Sequence, residues 1–302
     1  AERGQLDYDT PIAHYWPEFA ANGKAAITLR QALCHTAGIP HLPDDVQAED
    51  MCDWEGICRT VADLAPLWEP GTKTGYHALT YGWILGEVAR RVDGRPIAQF
   101  IREEISAPLG IADLYLGIPD EVESRIAPME VDPHPLDLPP IPPGALINRA
   151  IPLSIQPLAD FANRADVRRA SIPAGGGVMN ARAIARHYAA LTGDDRDGVQ
   201  LLSPERLRLA TTLQTEETDL ALGVPARKAL GYWLGAPLSP QGGRMTAFGH
   251  GGAGGSAGFA DPDYRFALGF AKNRMVTSMP GESTANRIAA AVRAALGIPE
   301  GS

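Results

Sequence analysis

From about Ala229 the apolar residues stop recurring every three or four positions and begin to alternate, a switch that few folds accommodate. Residues 231–234, 245–249, 256–260 and 265–272 read as strands, with Asp261-Pro262-Asp263-Tyr264 turning the chain between the last two. A closing amphipathic helix is predicted over 286–296.

Upstream the period is helical. Thr28 is placed as the N-cap of a helix over 28–38, with Gly38 and Pro40 as its stop. A second helix spans 54–65 and ends before Pro66. Leu79, Trp83, Ile84, Val88 and Val92 form one helical stripe over 78–91. Further helices cover 96–106, with Pro96 in the first position, and 180–191, while Ser203-Pro204-Glu205 opens another. The prolines at 133, 135, 139, 140, 142 and 143 predict a surface excursion without regular structure over 131–157. The chain therefore reads as α+β: a mainly helical region over 1–228, then antiparallel strands and a helix over 229–302, with no internal repeat.

A formal net charge of −9 and the lack of any basic cluster argue against nucleic acid or an anionic membrane as the main partner. No apolar run has the length of a membrane helix. Cys34, Cys52 and Cys58 are too few for a disulfide framework, and no pair of histidines accompanies them, so neither a disulfide scaffold nor a zinc site is expected. Reduced, partly buried thiols fit a cytoplasmic protein. At the start, residues 1–7 read as the last turn of a helix with Gly4 as its C-cap, so a targeting segment could precede them.

Gly254-Gly255-Ser256-Ala257-Gly258 matches the G-x-S-x-G elbow of α/β-hydrolases, which would make Ser256 a nucleophile. That elbow needs a helix after the serine and a histidine downstream; here a strand follows and His250 is the last histidine. Lys73-Thr74-Gly75 matches K-T-G but sits in a turn before a helix, where a polar turn is the simpler reading. Tyr76 follows the turn Glu69-Pro70-Gly71-Thr72 and precedes a helix, which holds its ring at a loop tip; nearby cations could lower its pKa and make it a base. His250 lies in Phe248-Gly249-His250-Gly251-Gly252-Ala253-Gly254-Gly255, whose bare backbone suits close approach of a ligand or an oxyanion.

The stretches Trp68-Glu69-Pro70-Gly71-Thr72, Gly75-Tyr76-His77-Ala78-Leu79-Thr80-Tyr81-Gly82 and Phe248-Gly249-His250-Gly251-Gly252 resemble serine β-lactamase-related hydrolases, close to class C β-lactamases and family VIII carboxylesterases. So do Leu33-Cys34-His35-Thr36-Ala37-Gly38, Leu202-Ser203-Pro204-Glu205 and Leu268-Gly269-Phe270 with Asn273-Arg274-Met275, all in the family's order along the chain. The resemblance implies a β-lactamase/DD-peptidase-like fold, akin to the penicillin-binding proteins, with its first strands missing and a sheet edge left unpaired. It implies a serine acyl-enzyme mechanism, no cofactor and a small-molecule ester substrate. Tyr76 takes the role of the family's tyrosine, His250-Gly251-Gly252 that of the strand triplet that lines the site and contacts substrate, and the Ala253 N–H that of an oxyanion-hole donor. Ala78 departs from the Asn or Ser that the tyrosine motif carries, which favours ester over β-lactam turnover. The S-x-x-K motif is absent, since no serine here has a lysine three residues on. By the resemblance it would stand upstream of Ala1, and this chain alone would be inactive. Two other readings stay open: a non-catalytic relative that binds ligands in the same pocket, and an α/β-hydrolase acting through Ser256.

Overall fold

Thr28 caps its helix as its sequence requires. Its hydroxyl accepts the Gln31 N–H at 3.3 Å and the Gln31 side-chain oxygen accepts the Thr28 N–H at 2.9 Å, a reciprocal capping box. The computed structural model describes residues 1–137, 139–193 and 198–301; Leu138 of the proline-rich stretch and Ser302 lie outside them. The Thr28 helix covers only Leu29–Leu33. It stops short of Gly38 because His35 turns into the left-handed region (φ 60°), and the chain bends there.

The predicted helix over 78–91 is the helix Thr80–Asp93, closed by Gly94 in the left-handed conformation. Its stripe is the centre of the larger core: Trp83, Ile84 and Val88 are buried among Ile12, Trp16, Phe19, Leu29 and Val61. Each such side chain contributes roughly 1.5–3 kcal/mol relative to leaving it in water. The helix Trp54–Asp63 packs across it and ends before Pro66, as expected. Over 96–106 the prediction needs correction. Pro96 is the N-cap, not the first helical residue, and the segment is α-helical over Ile97–Ile101 and then widens into a π-turn over Arg102–Ser106. At the start, Gly4 has φ 69° and its N–H bonds Ala1 O, a turn closed by a left-handed glycine.

Strand β1 (Leu114–Leu116) precedes β2 (Glu130–Val131), and β3 (Gly177–Met179) returns antiparallel to β1. The stretch 131–157 is not wholly irregular: β2 pairs parallel with a late strand, and short helices form over Ile147–Ala150 and Leu153–Ile155. Prolines space these pieces but do not prevent them. Asn180 and Ser203 cap the helices Ala181–Ala189 and Pro204–Ala210 through their side chains, with Pro204 first in its helix.

The four late strands exist, shifted by a few residues: β4 (Trp233–Leu234), β5 (Phe248–Gly251), β6 (Ala257–Asp261) and β7 (Phe266–Phe270). They form one antiparallel meander in chain order, with His250 opposite Gly258 and Trp233 opposite Gly249. The strand β8 (Arg274–Met275) leaves the meander to pair with β2. The helix Ala181–Ala189 backs β6 and β7, and Thr284–Leu296, capped by Ser283, closes the chain. Leu191, Ala229, Leu234, Phe248 and Ala260 fill a second core under the sheet.

Candidate active site

Tyr76 is carried on a strap over residues 67–77 that is laced to residues 35–38. Gly71 N–H donates to Thr36 O (2.9 Å), Gly75 N–H to His35 O (3.1 Å) and Leu67 N–H to Gly38 O (2.7 Å). The two buried histidines complete the lacing. His35 Nδ1 accepts the His77 N–H at 3.2 Å, while His77 Nε2 accepts the Ile39 N–H at 3.1 Å and its Nδ1 bonds Gly75 O at 2.6 Å. Both rings are neutral, because burial lowers their pKa, that of His77 to about 3. The strap is rigid just where the tyrosine leaves it.

The structure brings Tyr76 and His250 together. Their rings stack at a centroid distance of 5.7 Å and an interplanar angle of 26°. Trp233 stands edge-on to both, 5.4 Å from Tyr76 and 4.9 Å from His250. The His35 ring meets Tyr76 edge-on, with centroids 5.5 Å apart. Burial keeps His250 neutral by lowering its pKa. Tyr76 is pushed up to about 12, first by burial and then by the negative charge of Asp219. The cation that sequence reasoning wanted beside Tyr76 does not offset that burial among the described residues.

After His250, β5 runs out through Gly251 and the chain turns tightly: Gly252 N–H donates to Ser256 O at 2.7 Å and Gly255 N–H to Gly252 O at 2.9 Å. Among the described residues, no backbone acceptor takes the Ala253 N–H at the exposed tip of this turn. Gly251, Gly252, Ala253 and Ser256 line an open groove of about 590 Å³, with Leu158, Pro240 and Met275 among its other walls. A Cβ on Gly251 would meet nothing closer than 4.0 Å, and one on Gly252 nothing closer than 3.6 Å. Packing does not demand glycine at either place; the bare backbone faces the groove.

Ser256 also borders the groove, but β6 follows it and not a helix. Its hydroxyl accepts the Lys272 N–H at 3.3 Å. The elbow geometry is therefore not formed. Cys34 and Cys58 are buried, with their thiols pushed up by desolvation, that of Cys34 to about 12. Among the described residues no three His, Cys, Asp or Glu side chains gather as a metal site requires, and no helix is long and apolar enough to cross a membrane.

Sequence reasoning missed Trp233, His35 and a buried pair, Lys228 with Asp219. It also took Thr74 for part of a polar turn, whereas Thr74 is buried. Only the His-Thr-Ala-Gly stretch offered a signal, through its likeness to a known family.

A family profile described as "Beta-lactamase" matches residues 1–293. The chain belongs to the β-lactamase family. Among curated relatives, "Esterase/beta-lactamase LipL" of Mycobacterium tuberculosis is 35% identical over 299 residues, covering 92% of this chain and 66% of LipL, so the chain spans slightly less than two-thirds of that relative. Among solved structures, EstA from Arthrobacter nitroguajacolicus superposes with a TM-score of 0.88 at 31% identity, covering 98% of this chain and 79% of EstA. A structure described as a family VIII carboxylesterase gives 0.86 at 35% identity, over 99% of this chain and 78% of that one. This member of the β-lactamase family thus has the fold its motifs implied, and its relatives carry the names of esterases and β-lactamases.

Proposed function

We propose that this β-lactamase-family chain holds the tyrosine half of a carboxylesterase site that acts on small esters through a serine acyl-enzyme. The stacked Tyr76–His250 pair carries this reading, with the bare Gly251–Ala253 turn next to His250 in the chain; that turn, though neither ring, lines the groove. The serine and lysine of S-x-x-K are supplied by sequence outside these 302 residues, in keeping with the relatives' greater length and with the lack of that motif here. The serine oxygen attacks the ester carbonyl while its proton passes to the Tyr76 phenolate, which the motif lysine stabilises as an ammonium. The alcohol leaves with a proton returned from Tyr76. Water then attacks the acyl-serine and gives a proton to Tyr76, which passes it to the departing serine oxygen as the acid is released.

The Ala253 N–H and the serine's own N–H hold the oxyanion, each worth roughly 3–4 kcal/mol in such sites. His250, neutral and stacked on the phenol, tunes it and contacts substrate. Tyr76 at about 12 is too weakly acidic to serve as a base near neutrality, and a lysine ammonium beside it supplies the missing correction. Ala78 in place of a polar side chain favours esters over β-lactams.

Hydrolysis of p-nitrophenyl butyrate tests this. The 302-residue polypeptide is expected to be inactive, and a longer polypeptide of the same gene that includes S-x-x-K to be active. Ser256→Ala in that longer protein should leave turnover intact. Loss of turnover in Ser256→Ala, or hydrolysis by the 302-residue chain, refutes the assignment.

A further inference from the structure

Lys228 and Asp219 form an ion pair in which neither side chain has any exposed surface. Lys228 Nζ donates to the Asp219 carboxylate and, at 2.6 Å, to Thr74 Oγ1. The carboxylate is fixed in turn, since Asp219 Oδ1 accepts the N–H groups of Ala221 (2.8 Å) and Leu222 (2.9 Å). Leu220 N–H donates to Thr74 O at 2.9 Å, so the segment from 219 to 228 grips Thr74 by both side chain and backbone. Thr74 is two residues before Tyr76. Lys228 Nζ also lies 5.5 Å over the ring of Trp233, which stands edge-on to Tyr76 and His250.

A buried ion pair is a poor way to gain stability, because desolvation offsets the attraction and an apolar pair of similar volume often does as well. What such a pair supplies is direction. The ammonium meets Asp219 and Thr74 together and so ties the strap to the segment from 219 to 228.

We infer that Lys228, held by Asp219, is a positioning residue for Tyr76: through Thr74 and Trp233 it sets where the phenol stands relative to His250 and the Gly251–Ala253 turn. This rests on the reading of Tyr76 as the group that takes the serine proton. Lys228 does not touch substrate and moves no proton itself.

The discriminating variant is Lys228→Met with Asp219→Asn, which removes both charges at nearly the same volumes and keeps an acceptor for the Ala221 and Leu222 N–H groups. In the longer protein that includes S-x-x-K, kcat for p-nitrophenyl butyrate is expected to fall roughly 10- to 100-fold with KM and the melting temperature little changed, as when a catalytic group is misplaced by about 1 Å. In the 302-residue chain, which needs no activity for this readout, hydrogen exchange at the Gly75 and His77 amides should quicken while the helix Thr80–Asp93 keeps its protection. Thr74→Val leaves the ion pair intact and should act in the same direction, and it carries the test if the double variant does not fold. A folded double variant with unchanged kcat, or with unchanged exchange at Gly75 and His77, overturns the inference. If the longer wild-type protein hydrolyses no ester, the esterase reading fails on its own. The exchange result then decides whether Lys228 positions the strap.

Discussion

Tyr76→Phe is expected to lower ester turnover by roughly 10²–10⁴-fold in a polypeptide that includes S-x-x-K, the range for losing a positioned acid–base group. The substitution removes one oxygen and little else. Phenylalanine keeps the stack on His250 and the edge contact with Trp233, so the melting temperature should stay near that of the wild type. The loss should fall on kcat and kcat/KM together, because the phenol acts in the transition state and not in holding the ester. A second signature is the pH profile. A base works deprotonated, so kcat/KM should rise with pH through the apparent pKa of the lysine–tyrosine unit, and the phenylalanine variant should lose that limb. Near-normal turnover in Tyr76→Phe would remove Tyr76 from the mechanism.

A large loss of stability is expected from Gly269→Ala. Gly269 lies on β7, where the helix Ala181–Ala189 presses on the sheet. A Cβ there would sit 2.4 Å from Ala181 O and 2.5 Å from Ala185 N. Both are backbone atoms, so no rotamer change relieves the clash and the helix must retreat. Overpacking of this kind destabilises by about 1–3 kcal/mol or more, and for a chain of this length each kcal/mol lowers the melting temperature by about 2–4 °C. Differential scanning fluorimetry should show the drop. Gly251→Ala, with nothing nearer than 4.0 Å, should leave the melting temperature unchanged.

The order of helices, then a β meander, then a closing helix was legible because each element satisfies a local rule. Thr28, Asn180 and Ser203 cap through their own side chains, and Trp83, Ile84 and Val88 recur on one helical face. The boundaries were less so. The 28–38 helix ends early because His35 is held at φ 60° by bonds to residues about forty positions away, which no local pattern contains. In the site, Tyr76 and His250 stood out through their neighbours in sequence: a turn, a helix start, a run of glycines. Lys228, Asp219 and Thr74 did not. A lysine that donates across 154 residues to a threonine looks like any surface lysine until the chain is folded. The same holds for Trp233, whose role comes from the two rings it meets.

The two histidines behind Tyr76 hold opposite tautomers. His77 bears its proton on Nδ1, toward Gly75 O, whereas His35 leaves Nδ1 bare to receive an amide. Adding a proton to either ring puts a donor in front of a donor. The folded protein therefore refuses protons that the unfolded chain binds below about pH 6.5, and each ring tilts the balance by up to about 1.4 kcal/mol per pH unit below that value. For His77 the tilt persists down to about pH 3. Urea midpoints should fall between pH 7 and pH 5, and a midpoint indifferent to that change would contradict the neutral pair. The presentation of the phenol thus rests on an acid-labile fastening: the neutral rings that lace the strap weaken folding as the pH falls below about 6.5.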